Sequence, residues 1–236
     1  MEMAATRALI IFDCDGTLAD SHHFLTEAMR FAFVSAGLAA PERRAILRCT
    51  RGVSIADAIS CLAPDECAFA RNELMRGFSE RNTDLRQKAG GRDPMFQGAA
   101  ALLRSLAARE DAVLALATGK CRSSALAFIQ DHGLDGVFAT IQTADEAPSK
   151  PHPAMLYQAM EETGVPPEAA IMVGDTSYDM VMAASANIAS IGVTWGYHTP
   201  VQLQRAGAKM MAGSFAALAQ LLDPQLLPAR RNEHFA

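Results

Sequence analysis

Past residue 94 the chain alternates between two kinds of segment. Short apolar runs at 113–117, about 137–141, 170–173 and 188–193 are interleaved with longer segments at about 97–108, 122–132, 153–163 and 177–185. Short apolar runs bounded by glycine and polar residues read as strands buried on both faces, and the segments between them as helices. Strands that alternate with helices build a parallel sheet with helices on both sides. Two weaker units near 200–211 and 214–222 complete the series, and one more apolar run, 8–13, opens it.

The span from 21 to 87 breaks this alternation. Phe24, Ala28, Phe31 and Ala32 form one helical stripe, ended by Gly37 and Pro41. Ile46 and Leu47 begin another segment, Ile55, Ala58, Ile59 and Leu62 form a stripe before Pro64, and Phe69, Leu74, Met75 and Phe78 continue the pattern. No strand is legible there, and the block ends at a hinge-like Lys88-Ala89-Gly90-Gly91-Arg92-Asp93-Pro94. The expected fold is therefore α/β: a Rossmann-like, doubly wound parallel sheet, made of residues 1–20 and 88–227, with an inserted α-helical cap at 21–87. Residues 228–236 read as a frayed tail.

Open α/β sheets bind their ligands beyond the carboxyl ends of the strands, and the polar clusters of this sequence fall there. Asp13 and Asp15 follow the first run, with Gly16 to let the chain turn. Two carboxylates crowded together call for a cation or a shared proton. Thr118-Gly119-Lys120 follows the run at 113–117, and Gly174-Asp175-Thr176-Ser177-Tyr178-Asp179 follows the run at 170–173. Lys150 lies in Ser149-Lys150-Pro151-His152-Pro153, where two prolines restrict the loop. Asp13 and Asp175 can offer hard oxygen ligands to Mg²⁺. Thr118 offers a hydroxyl, Gly119 an open backbone N–H at a helix start, and Lys150 a point charge, all suited to a phosphoryl group. Asp179 also fits a first-turn helix acid.

These motifs, in this order and spacing, resemble those of the haloacid dehalogenase-like phosphatases with a helical cap inserted after the first motif, a group that includes phosphoglycolate phosphatases. The first motif is Asp13-Cys14-Asp15-Gly16-Thr17-Leu18-Ala19-Asp20-Ser21, the second Thr118, the third Lys150 and the fourth Gly174–Asp179. The resemblance implies that Asp13 is a nucleophile forming an aspartyl-phosphate and Asp15 an acid/base. It implies that Asp13, the backbone carbonyl of Asp15, and Asp175 hold Mg²⁺, with Asp179 behind them. Thr118, Gly119 and Lys150 would bind the phosphoryl group. Arg51-Gly52 resembles a cap loop that reaches over the site, with Arg51 set against an anionic substrate. The substrate implied is a small phosphorylated metabolite such as phosphoglycolate. A dehalogenase or phosphonate hydrolase lacks the acid that Asp15 supplies. A sugar-phosphate mutase of the same fold is the enzymatic alternative, but Leu25 stands where its cap histidine is expected, and His22 and His23 are off register. A non-catalytic binding relative should have lost a carboxylate, and none is lost.

Composition narrows the setting. A formal net charge of −5 offers no basic surface for nucleic acid or anionic lipid, and no apolar run approaches the length of a membrane span. The N-terminal run is too short for a secretory signal, so a cytoplasmic protein is expected. The five cysteines, Cys14, Cys49, Cys61, Cys67 and Cys121, show no metal spacing and are expected as reduced thiols. Cys14, Trp195 and Tyr197 read as packing residues, and His22 and His23 as a surface pair. Monomer and homodimer fit the pattern equally.

Overall fold

The computed structural model describes residues 7–50, 53–88, 90 and 92–223. Its centre is a six-stranded sheet of β1 (Ala8–Phe12), β2 (Ala112–Thr118), β3 (Thr140–Thr143), β4 (Ala170–Gly174), β5 (Ala189–Val193) and β6 (Met210–Ala212), in the order β3-β2-β1-β4-β5-β6. Every pairing is parallel. This is the doubly wound order, in which connections leave in opposite directions from a central pair. The central pair is β1 and β4, with Phe12 beside Val173, and both strands end at carboxylates.

The sheet is buried on both faces, as its continuous apolar runs require. Ile10, Phe12, Leu114 and Leu116 pack on one side with α5 (Ala99–Ala107), α6 (Arg122–Asp131) and α10 (Phe215–Leu221). Leu9, Ile11, Val113 and Ala115 pack on the other with α7 (Ala154–Thr163) and α8 (Ser177–Ser185). Strand side chains alternate between faces, so each strand contributes to both cores. A short helix, α9 (Pro200–Arg205), joins β5 to β6.

Between β1 and β2 stand α1 (His22–Ser35), α2 (Arg43–Cys49), α3 (Ile55–Leu62) and α4 (Ala68–Lys88). They bury a separate cluster that includes Ala28, Met29, Phe33, Ile46, Ile59, Leu74 and Phe78. The chain enters and leaves this block side by side, because Asp20 N–H donates to the Pro94 carbonyl at 2.8 Å. Arg51 and Gly52, and the tail 228–236, lie outside the described residues.

Four expectations shift. The third strand runs over Thr140–Thr143 rather than about 137–141, because Leu134 to Val137 close a turn in which Val137 N–H donates to Leu134 O. The weak unit near 200–211 resolves into a helix and an edge strand, β6. Phe69 does not join the buried stripe of α4 but is 76% exposed. Cys49 and Cys61 are joined in a disulfide between α2 and α3, whereas Cys14, Cys67 and Cys121 are free. That pairing replaces the expected five thiols; α2 and α3 pack together in the core of the helical block, which brings two scattered positions into reach. Cys14 is buried in the sheet core, as a packing residue should be, and burial pushes its thiol well above its ordinary range.

Candidate active site

The carboxyl ends of β1 and β4 place Asp13 and Asp175 side by side. Asp13 N–H donates to Val173 O at 2.9 Å, which carries the β1–β4 pairing one residue past the strand. The chain then turns tightly: the N–H groups of Thr17, Leu18 and Ala19 all reach the Cys14 carbonyl. Gly16 takes a φ of +90°, and a Cβ there would lie 2.3 Å from Asp175 Oδ2. Only glycine permits both that backbone and that approach.

Asp175 is fixed from two sides. Thr17 Oγ1 donates to its Oδ1 at 3.1 Å, and Tyr197 N–H donates to its Oδ2 at 2.7 Å. The loop that carries Tyr197 follows β5 and is tied down by Trp195, whose Nε1–H donates to Thr17 O at 3.0 Å. Gly196 lets it pass, since a Cβ there would lie 2.2 Å from Asp175 Cβ. Asp179 closes the start of α8 through a capping box with Thr176, its Oδ2 accepting from Thr176 N–H at 3.0 Å and Oγ1–H at 2.7 Å.

Lys150 reaches in from the loop before α7 and is shut off from solvent. Its Nζ donates to Asp13 Oδ1 at 2.6 Å and to Asp179 Oδ1 at 2.7 Å. Ligand oxygens of Asp13, Asp175 and Asp179 all lie within 4.8 Å of one another. Three buried carboxylates thus face one ammonium. Burial pushes the Asp13 carboxyl up to about 7 against the pull of Lys150, with Asp179 adding to the rise. Burial, then Asp13 and Asp179, also hold the Asp175 carboxyl well above its ordinary range. Asp13 Oδ2 is buried and has no hydrogen-bond partner. An orphaned anionic oxygen beside a charge deficit fits a hard divalent cation with oxygen ligands, such as Mg²⁺.

Thr118 ends β2, buried, with its Oγ1 accepting Lys120 N–H at 3.2 Å. A cavity of about 450 Å³ lies between the helical block and the sheet end. Asp13, Asp15 and Gly119 line its floor; Leu25, Val53, Ile55, Met75 and Phe78 line the other side. The Asp15 carboxyl stands apart from the carboxylate trio. Its Oδ1 accepts from Ser21 Oγ–H, and Lys120 Nζ lies 2.8 Å from the same oxygen. Lys120 Nζ is also 3.0 Å from Asp93 Oδ2, and Asp93 accepts two N–H groups of Arg86.

The structure brings together Asp13, Asp175, Asp179 and Lys150, and sets Asp15, Thr118 and Gly119 around them; it does not describe Arg51 or Gly52. Asp179 is no mere helix-start acid, since it also binds Lys150. Sequence reasoning left Lys120, Asp93 and Arg86 without a role, although Lys120 ends the Thr118-Gly119-Lys120 cluster and Asp93 lies in the hinge. Tyr197, read as packing, lines the cavity and anchors Asp175. His22 is drawn inward against the Tyr197 ring at 5.0 Å, while His23 remains 82% exposed.

The chain is similar to known proteins in sequence and fold. The sequence pattern described as haloacid dehalogenase-like hydrolase matches residues 10–193. A protein of Dickeya dadantii named "Probable phosphatase IndB" is 34% identical, covering 89% of this chain and 91% of its own. A phosphoglycolate phosphatase of Rhodospirillum rubrum is 31% identical over 90% of each chain. The crystal structure of a hydrolase from Pseudomonas syringae superposes with a TM-score of 0.80 at 24% identity, over 92% of this chain and 98% of that one.

Proposed function

The chain belongs to the haloacid dehalogenase-like hydrolases, and we propose that within this family it is a Mg²⁺-dependent phosphatase of a small phosphomonoester, phosphoglycolate or a compound of similar size. The state of Asp13 carries this reading. One carboxylate oxygen rests on Lys150, and the other is buried without a partner where a metal would complete it. The names of the relatives support phosphate ester hydrolysis.

In the proposed reaction an Asp13 oxygen attacks phosphorus while the bond from phosphorus to the ester oxygen breaks. Asp15 gives its proton to the departing alkoxide. Water then attacks the phosphoryl group, Asp15 takes a proton from it, and the Asp13 carboxylate leaves. Lys150 restrains Asp13 and, with Thr118 and the Gly119 N–H, binds the phosphoryl oxygens. Asp13, the Asp15 carbonyl and Asp175 would hold Mg²⁺, with Asp179 behind, and the bound ion would offset charge on the phosphoryl oxygens. Residues 21–87 act as the cap domain over a catalytic domain of 1–20 and 88–227, and exclude water from the cavity. A cytoplasmic setting suits a phosphatase of small metabolites, although a reducing interior would oppose the Cys49–Cys61 bond.

The mutase alternative gains no support. Leu25, at the position where a mutase histidine is expected, lines the cavity as an apolar side chain. Hydrolysis of a chromogenic aryl phosphate with and without Mg²⁺, beside the Asp13→Asn variant, tests the reaction class. No turnover above the variant would sink it. A screen of phosphorylated metabolites, phosphoglycolate included, tests the substrate.

A further inference from the structure

The acid/base carboxylate is held by a chain of charges that the roles above do not use. Lys120 follows Thr118 by two residues and leans over the sheet end, with its side chain only 11% exposed. Its ammonium spans two carboxylates, 2.8 Å from Asp15 Oδ1 and 3.0 Å from Asp93 Oδ2. Asp93 is 3% exposed and sits in the segment that returns from the helical block. Arg86, in the last turn of α4, grips it with a fork: Nε donates to Oδ1 at 2.7 Å and Nη2 to Oδ2. The His132 ring also meets the Asp93 carbonyl, at 2.8 Å. The sequence of contacts is therefore Arg86, Asp93, Lys120, Asp15, running from the cap's last helix to the floor of the cavity.

Both contacts on Asp15 fall on the same oxygen. Ser21 Oγ and Lys120 Nζ both meet Oδ1, and Oδ2 receives neither. An oxygen whose lone pairs are taken by two donors has no favourable place for a proton of its own. That leaves Oδ2 as the oxygen turned away from both donors. An acid transfers its proton well only from a fixed position within hydrogen-bond reach of the leaving oxygen. A lysine paired with two carboxylates in a partly buried site is also a strong constraint on rotation of the carboxyl group. Burial alone would weaken the Lys120 ammonium, but Asp15 and Asp93 hold it well above its ordinary range, so it stays charged.

We infer that Lys120 is a positioning residue that fixes the orientation of the Asp15 carboxyl, and that the Arg86–Asp93 pair ties this orientation to the seating of the cap. The inference rests on the acid/base role proposed for Asp15. It assigns to the third residue of the Thr118-Gly119-Lys120 cluster a task separate from binding phosphate. It also gives the hinge residue Asp93, at the cavity wall, a part in the chemistry that acts through Lys120.

Leaving-group dependence separates this from a merely structural ion pair. An aryl phosphate releases a stable phenolate and needs little help from an acid, whereas an alkyl phosphate needs the proton. In the full-length protein with Mg²⁺, kcat/KM, which reports the steps up to departure of the alcohol and not the shared hydrolysis of the aspartyl-phosphate, is measured for 4-nitrophenyl phosphate and for an alkyl phosphate. Lys120→Met is expected to lower kcat/KM for the alkyl ester on the order of 100-fold, and for the aryl ester roughly tenfold less than that. Lys120→Arg, which keeps the charge, is expected to recover part of the alkyl activity. Equal losses on both esters would overturn the inference. If Lys120→Met does not melt cooperatively, Asp93→Asn replaces it: it frees Lys120 from the cap side, and the same alkyl-selective loss is expected, smaller in size. Asp15→Asn separates the two levels of the argument. If it shows no preference between esters, the acid/base role itself fails. If it discriminates and neither Lys120→Met nor Asp93→Asn does, only the positioning role fails.

Discussion

Lys150 Nζ lies 2.6 Å from Asp13 Oδ1, and neither side chain has meaningful contact with solvent. The same ammonium serves Asp179. Replacing Lys150 with Met leaves three buried carboxylates with no bonded cation. Removing one partner of a buried pair costs about 3–5 kcal/mol, so thermal or urea unfolding of Lys150→Met without metal should show a loss of that order. Mg²⁺ should restore more stability to the variant than it adds to the parent, because the charge deficit it meets is larger. An unchanged unfolding midpoint would contradict the pairing.

Asp13→Asn should abolish covalent chemistry while leaving the fold intact. We expect a kcat loss of at least roughly 1,000-fold on an aryl phosphate. Acid-quenched enzyme incubated with ³²P-labelled substrate should carry phosphoryl label on the Asp13 peptide in the parent and none in the variant. Label on a different residue would assign the nucleophile elsewhere.

Metal and proton should compete for Asp13. Its carboxyl is raised from 3.8 to about 7 in the metal-free protein, first by burial. Between those values the native state keeps a proton that the unfolded chain releases. The stability tied to that proton is whole below 3.8 and is lost as pH rises to about 7. Mg²⁺ must displace it, so the metal-induced rise in Tm should grow between about pH 5 and about pH 8. At a metal concentration 100 times its Kd the gain should approach about 2.7 kcal/mol. Asp175→Asn should remove most of it. A metal effect independent of pH would argue against Asp13 as a ligand.

Asp93 should behave in the opposite sense. Burial works to raise its carboxyl, but the Lys120 ammonium and the Arg86 guanidinium outweigh burial and hold it below 3.8. A depressed folded value contributes stability above the unfolded value that is lost as pH falls through the folded one. Asp93→Asn should therefore be destabilised near neutral pH, by on the order of 3 kcal/mol. Its unfolding curve should converge with that of the parent in strong acid. A constant gap at all pH values would mean that the charge of Asp93 is not what matters.

Thiol counting checks the disulfide. Protein prepared without reductant and unfolded should yield three titratable thiols, those of Cys14, Cys67 and Cys121. After reduction it should yield all five cysteines of the chain. Five thiols before reduction would mean that Cys49 and Cys61 remain unpaired.

The convergence of the site residues at the cavity floor was legible because its parts are local. Asp13, Thr118 and Asp175 each end an apolar run, and strand ends converge in a parallel sheet whatever the loops do. Lys150 was legible from its proline-bounded loop and from resemblance. Asp179 was ambiguous, since a helix-start acid and a partner of Lys150 look alike in one dimension. Lys120, Asp93 and Arg86 were opaque for a different reason. Their roles come from ion pairs across the hinge, and most charged residues elsewhere are solvated. Tyr197 contributes through its backbone N–H, which carries no residue-type signal. The Cys49–Cys61 bond depends on how α2 and α3 pack, and sequence spacing does not report that.

The placement of β1 has a consequence for how the chain assembles. β1, which leads into Asp13, precedes the other described strands in the chain, yet Ala8 pairs with Ala112 and Leu9 with Ala170. Such distant pairings are slow to find, because a long loop must close before any contact rewards it. In the folded protein the Asp20–Pro94 hydrogen bond holds the entry and exit of the helical block together, so β1 and β2 are joined across a structured element rather than a free coil. The helical block that lines one side of the cavity thus also returns the chain leaving β1 to the side of the chain that leads to α5 and β2.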